Sequence, residues 1–433
     1  MSYRIVLATL LILGWEGIAT AQIPDSIDAQ QAVMLAIASH PLVARAGERV
    51  HAAESMVDLA RVPNSPTITG MVDYSHLGPV SSITLPEQGE FKLFPANDYD
   101  LHLGLSQTVY DFGRTGAAVR HAQTGVELAN DSLTLVKRDL AYQTMGVFYR
   151  ILILRENVNV LDEEIAALNQ HLDVSQKRVE TGSATKLDVL NTEVRLATAR
   201  DERIDAAKAV EQVEITFRSL VGLPPDQPVR LSGTLDSQSI TVSDDSLLAV
   251  AEQQRPEIQL LESAQRSAEL QERMAALSDK PSVGVNLLGG FKNGYIPNLN
   301  RLMGNYVAGI TLNVPVFDGN RSRRERQVAT AGINIIRATR ADVRLRIAED
   351  VRQAATNVRA SQEKIDNAEV QVARADEALA TAKVQYDAGV ITNLDLLDAQ
   401  TAQARARQAY LQALYDSIMS LNALDRATGK RIW

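Results

Sequence analysis

The sequence predicts a mixed α/β membrane protein, a helix-strand-strand-helix unit written twice, with strands in a bilayer and helices in a long coiled coil outside it. Three observations carry this prediction. Landmark residues recur at fixed spacing, two short stretches in each unit alternate with period two, and most of the rest steps in heptads.

The duplication comes first. Val109-Tyr110-Asp111 recurs as Val316-Phe317-Asp318, and Gly182, Thr185, Leu187, Asp188 and Leu190 recur as Gly389, Thr392, Leu394, Asp395 and Leu397, all 207 residues apart. His40-Pro41 and Arg255-Pro256 lie 215 apart, as do Pro66 and Pro281, so the first copy holds eight more residues between Pro66 and Asp111. Self-similarity of this length is one duplicated unit rather than a short-repeat solenoid. The copies are expected at 22–223 and 246–433, joined by a linker at 224–245.

The strands are expected only in two hairpins, at about 66–110 and 281–317. Tyr99, Leu101, Leu103 and Leu105 alternate with Asp100, His102, Gly104 and Ser106, and Ile68, Val72 and Tyr74 alternate with polar neighbours. The second copy offers Val283, Val285, Leu287 and Phe291, then Tyr306, Ala308, Ile310 and Leu312. Period two over ~10 residues suits a strand that crosses a bilayer with one face in lipid. Tyr74, Tyr99, Phe291 and Tyr306 share the outward parity and lie beside the hairpin turns, where an interfacial aromatic girdle is expected. His102 is expected on the lumen face, tolerant of arginine. Half-buried strands of a soluble sheet would alternate in the same way.

The long helices follow. Val147, Ile151, Leu154, Val158, Leu161, Ile165, Leu168 and Leu172 step by four and three, and the run from Val351 through Val358, Ile365, Val372 and Leu379 to Tyr386 does the same. Heptads sustained this far predict coiled-coil packing. Gly182 and Gly389 end the ascents, and Thr185 and Thr392 open the returns with Asp188 and Asp395 in capping-box spacing. Each copy is therefore expected to end in a helical hairpin, with tips at about 181–185 and 388–392.

Composition sets the compartment. Residues 1–21 carry Arg4, an apolar run over 5–13 and a small-residue site at Ala19-Thr20-Ala21, which predicts a signal peptide cut before Gln22. No later run is apolar enough for a membrane helix. There is no cysteine, and a net charge of −9 argues against nucleic acid. The six histidines are scattered, and neither a phosphate-binding loop nor a Gly-x-Ser-x-Gly elbow occurs, so no enzyme, cofactor or dedicated metal site is expected. Four lipid-facing strands cannot close a barrel, and open edges are not tolerated in hydrocarbon, so the chain is expected to oligomerise.

At 32–41, at Tyr110-Asp111-Phe112-Gly113-Arg114 and at 389–400 the sequence resembles the TolC family of outer-membrane efflux proteins, and the resemblance covers essentially the whole mature chain. It implies a homotrimer forming one twelve-stranded outer-membrane β-barrel continued by a periplasmic α-helical barrel. It also implies a passive duct of a tripartite efflux or type I secretion system, served by a periplasmic adaptor and an inner-membrane pump. Asp395 and Asp398 match the aspartates that ring the periplasmic gate, and Tyr386 with Asp188 matches the tie between inner and outer hairpins. The family's arginine falls at Ile391. Gly182, Ser183, Gly389 and Val390 are the expected adaptor contacts, and Asp395 with Asp398 the expected site of cation block.

Bland readings stand beside these. A capping box explains Asp188 and Asp395 without a gate, a solvated face explains Asp398, and heptad packing explains Tyr386. For the whole chain the alternative is a soluble periplasmic coiled-coil adaptor or scaffold. That protein would leave with the periplasm, whereas a duct needs detergent.

Overall fold

The computed structural model describes residues 26–87, 89–236 and 243–433. The expected signal peptide lies outside the described residues, as do residues 237–242 of the expected linker.

Two copies of one element order follow each other. The first comprises α1 (Ala29–Ser39), α2 (Pro41–Arg61), β1 (Thr67–His76), a small hairpin of β2 (Ser82–Leu85) and β3 (Gly89–Lys92), β4 (Asn97–Tyr110), α3 (Arg114–Glu180) and α4 (Lys186–Val221). The second comprises α5 (Asp244–Gln254), α6 (Pro256–Leu277), β5 (Ser282–Lys292), β6 (Met303–Asn313), α7 (Arg321–Asp387) and α8 (Asn393–Thr428). The β2–β3 hairpin has no counterpart in the second copy and accounts for the longer first spacing. Its alternation is too short to be read from sequence.

Local chemistry sets the boundaries. Residues before proline avoid helical angles, so His40 and Arg255 are extended and separate α1 from α2 and α5 from α6. Asp111 turns strand into helix: its carboxylate accepts from the amides of Gly113 at 3.0 Å and Thr115 at 2.6 Å. Asp318 accepts from Ser322 N at 2.9 Å in the same way. The recurring aspartates, two residues before the N-cap positions Gly113 and Asn320, thus bind first-turn amides of the two long helices.

α3 and α7 span 67 residues each, about 100 Å at the helical rise. No described helix is long and apolar enough to cross a membrane. The heptad residues Ile151, Leu161 and Leu168 are buried on α3, as are Val351, Val358, Ile365, Leu379 and Tyr386 on α7. α4 and α8 fold back along the lower parts of α3 and α7, while α2 and α6 pack along the upper parts.

Where the short helices meet end to end, the copies repeat one joint. In the first, Ser39 Oγ donates to Val221 O at 3.0 Å, beside the left-handed Gly222. In the second, the Arg255 guanidinium donates to Ala427 O at 3.2 Å, and Gly429 lies against the Gln254–Arg255 backbone. Arg255 also pairs with Asp350 at 2.9 Å, and buried Arg138 pairs with Glu257 at 2.8 Å, so charges tie α3, α6, α7 and α8 at this level.

The four main strands form one antiparallel sheet in the order β1-β4-β5-β6. Register sorts the side chains as the alternation requires. Tyr74 opposes Tyr99, Val72 opposes Leu101, Leu105 opposes Leu287, and Val285 opposes Ile310. One face is therefore apolar from edge to edge, and the other carries Thr69, Asp73, Asp100, His102, Asn286 and Thr311. His102 departs from its expected tolerance: it lies on the polar face but is only 6% exposed. It contacts Asp100, and its Nε2 bonds Asn305 Oδ1 at 2.8 Å. Opposite it, a Cβ on Gly290 would fall 2.0 Å from Leu101 O, whereas one on the adjacent Gly289 would meet nothing. Gly290→Ala should therefore break the β4–β5 pairing, at about 1–3 kcal/mol or more, while Gly289→Ala stays within about 0.5 kcal/mol. Thermal unfolding of the purified protein decides, and equal melting of the two variants would contradict the close approach.

Candidate functional site

Two regions concentrate the expected functional residues: the sheet face and the helical tips. On the apolar face Tyr74 and Tyr99 stack with centroids 5.2 Å apart, and Phe291 and Tyr306 lie at the same turn end of the sheet. Asn293, buried just past β5, extends the ladder there. It accepts from Tyr99 N at 2.7 Å and donates to Asn97 O at 2.7 Å. On the opposite face Lys292 bridges Asp100 at 3.0 Å and Asp98 at 3.8 Å. The result is a hydrocarbon-like outer surface backed by a hydrogen-bonded polar one.

At the tips the copies share one turn. Thr181 and Ala388 close the ascending helices, and Gly182 (φ 77°) and Gly389 (φ 73°) turn the chain in the left-handed region. Ser183 and Val390 are exposed beside them. Thr185 and Asp188 exchange bonds in both directions, with Thr185 N to Asp188 Oδ2 at 2.9 Å. Thr392 and Asp395 repeat this, with Thr392 N to Asp395 Oδ2 at 2.8 Å. The Thr392 hydroxyl and amide hold the exposed Asp395 carboxyl below the usual carboxylate range. Asp188 and Asp395 are therefore both helix caps, whatever else they do.

Across the tips, bonds join the two hairpins. Asp398 pairs with Arg195 of α4 at 2.8 Å, so it is not a lone charge. Tyr386 is buried with its ring edge-on to His171 and under the Arg178 guanidinium, 4.4 Å from the ring centroid. Arg178 also donates to Tyr386 O at 3.2 Å and to Asp387 at 2.9 Å. No hydrogen bond joins the Tyr386 hydroxyl to Asp188 among the described residues. Ile391 occupies the position at which the resemblance implies an arginine, and Arg178 reaches Tyr386 from the other hairpin. Beneath this pair, buried Asn393 accepts from His171 Nε2 at 2.5 Å and donates to Asp188 O at 3.0 Å.

Sequence reasoning missed Arg178, Arg195, His171 and Asn393. A signal was present. At the 207-residue spacing their counterparts are Gln385, Ala402, Ala378 and Lys186, while Asn191 stands opposite Asp398. At the tip, the polar side chains that cross between hairpins are those at which the copies differ.

Burial pushes the His171 imidazole below its ordinary value; the hydrogen bond to Asn393 opposes this, Arg178 adds to it, and Asp387 and Asp188 oppose it further. A lowered folded-state value means that neutral His171 supports the junction above the unfolded value, near 6.5. That support is lost progressively as pH falls from there through the folded value. Amides of the α8 start should therefore exchange faster, relative to intrinsic rates, at pH 5.5 than at pH 7.5. His171→Gln keeps an amide donor and should flatten the difference. An unchanged pH dependence in that variant would exclude His171.

A family profile described as outer membrane efflux protein matches residues 32–223 and 247–430. Protein CyaE of Bordetella pertussis is 25% identical over 408 residues, covering 92% of this chain and 83% of that protein. Outer membrane efflux protein BepC of Brucella suis is 25% identical over 405 residues, covering 89% and 81%. Among solved structures, the Campylobacter jejuni CmeC outer membrane channel superimposes with a TM-score of 0.76 at 16% identity, covering 99% of this chain and 94% of that one. At that identity the likeness is one of fold.

Proposed function

The chain belongs to the outer membrane efflux protein family, a family of ducts rather than enzymes, and we propose that three copies close one twelve-stranded barrel continued by a helical barrel in the periplasm. The observation that carries this reading is the sheet: one face is apolar from β1 to β6, and both edge strands are unpaired. Hydrocarbon tolerates neither open edge, so β6 pairs with β1 of the next copy. The strands, 10 to 14 residues long, match a bilayer crossing. Tyr74, Tyr99, Phe291 and Tyr306 then sit as a girdle at one interface.

The tips form the periplasmic entrance. Asp395 and Asp398 from three copies surround it, with Arg195 neutralising part of the charge. The clasp of Arg178, Arg195, His171 and Asn393 holds the two hairpins of each copy together, and opening separates them. Gly182, Ser183, Gly389 and Val390 meet a periplasmic adaptor, which delivers cargo and energy from an inner-membrane pump. The exposed Leu187, Leu190 and Val194 on α4, one turn from the tip, offer that adaptor a helix-packing stripe.

Cross-linking in detergent should give a mass of three chains, and a mass of one or two would sink the assembly. Leu103→Arg should impair insertion by about 2–4 kcal/mol if near the bilayer midplane, whereas Thr69→Arg on the polar face should be tolerated. Equal sensitivity at both positions would remove the barrel reading.

Crowded carboxylates attract multivalent cations. A small cation-selective conductance in planar bilayers should be blocked from the tip side by di- or trivalent metal ions. Asp395→Ala with Asp398→Ala should abolish the block and leave the trimer intact. Arg195→Ala, which frees Asp398, should tighten it. Block of the double variant at parental concentrations would reduce the aspartates to caps and surface charges.

A further inference from the structure

The basic run that opens α7 has no part in the duct described above. Residues 321–326 contain Arg321, Arg323, Arg324 and Arg326, and the matching positions of the first copy are Arg114, Gly116, Ala117 and Val119. Three of the four charges are therefore particular to the second copy. Cations in a first helical turn are also repelled by the helix dipole.

Neighbouring carboxylates do not balance the run. Arg321 pairs with Glu325 at 2.7 Å, and Arg326 donates to Ala276 O at 3.0 Å with Asp279 at 3.6 Å. Arg324 reaches only the neutral Gln327, at 3.1 Å. Among the described residues, the guanidinium groups of Arg323 and Arg114 make no ion pair or hydrogen bond.

The position of the run narrows the partner. Between the end of β6 and Arg321 lie Val316, 93% exposed, and Phe317, 83% exposed. A groove of about 540 Å³ runs between α6 and the starts of α3 and α7. Met274, Ala275 and Val328 line it with apolar surface, and Arg114, Arg324 and the Arg321–Glu325 pair line it with charge. The groove lies at the starts of α3 and α7, which follow β4 and β6, so in the outer-membrane reading it stands at the membrane boundary.

We propose that this collar holds an anionic phospholipid of the leaflet on the helical side. An acyl chain lies in the groove, and the phosphate is held by Arg324 and Arg114, which both line it. Guanidinium groups bind phosphate oxygens in a fork and bury their stems along apolar surface. Basic residues at a membrane boundary add attraction to anionic headgroups. The proposal rests on the outer-membrane reading, because it needs the strands to lie in the bilayer.

The detergent-purified, delipidated oligomer, titrated with phosphatidylglycerol or phosphatidylcholine and read by native mass spectrometry, tests it. The parent should hold phosphatidylglycerol about tenfold or more tightly than phosphatidylcholine, and millimolar inorganic phosphate should not displace it. Arg114→Ser with Arg324→Ser should lose the preference while keeping the oligomeric mass. Equal binding of both lipids by the parent overturns the proposal without recourse to any variant, and would mean that another copy or protein covers the collar. Displacement by inorganic phosphate, or a parental preference in the double variant, overturns it as well. Such a failure in an oligomer extracted by detergent leaves the duct intact, whereas a chain that leaves with the periplasm removes the duct reading itself.

Discussion

The rest of the architecture depends on one constraint: an antiparallel sheet with an apolar face and two unpaired edges has to satisfy its backbone elsewhere. In water the face from Ile68 to Leu312 would be a liability, and in hydrocarbon the open edges of β1 and β6 would be. Both are removed together only if copies join edge to edge inside a membrane. In the proposed assembly the polar face lines what the copies enclose. Its own bonds, Lys292 with Asp100 and His102 with Asn305, keep those groups satisfied wherever water is scarce.

The helices inherit their geometry from that sheet. Asp111 and Asp318 bind the first free amides of α3 and α7 directly after their strands, so each long helix leaves its strand at a fixed point. Each copy then runs 67 residues out and 36 back. The returning helix meets the extended residue before proline at His40 or Arg255, and a second short helix carries the packing up to the sheet. The two joints are chemically unequal. The first closes through a serine hydroxyl, the second through a buried guanidinium that also pairs with Asp350. Removing Arg255 would strand the Asp350 carboxylate and two helix-terminal carbonyls at once.

Much of this was legible in the sequence, for a physical reason. A one-residue slip would turn Leu101, Leu103 and Leu105 to the wrong face, so alternation alone fixes which side chains share a surface. Heptads fixed the buried side of α3 and α7 in the same way, and Gly-x-x-Thr-x-x-Asp at both tips announced the turn and its cap. Interactions without a period were not legible. The β2–β3 hairpin is too short for a pattern, and Asn293 replaces a rung of the ladder at a position that reads as turn. Arg195 with Asp398, and His171 with Asn393, are single pairs joining residues more than 200 positions apart. No local pattern encodes them.

The duplication itself explains where such pairs arise. Two identical hairpins packed side by side would present the same side chain to each other at equivalent heights, and like charges so placed repel. Binding between copies therefore requires that they diverge in complementary ways. Arg178 against Gln385, Arg195 against Ala402 and Asp398 against Asn191 are divergences of this kind, and they supply the bonds that span the tip. The shared residues, Gly182 with Gly389 and Thr185 with Thr392, build the turn in both copies. At the tip, what the copies hold in common makes the turn, and what they hold apart makes the polar contacts between them. Three of the arginines that open α7 follow the same rule with one difference: they diverge from the first copy, yet Arg323 meets no complement among the described residues. A divergence without an internal partner directs attention outward, to whatever lies against that face in the assembled protein.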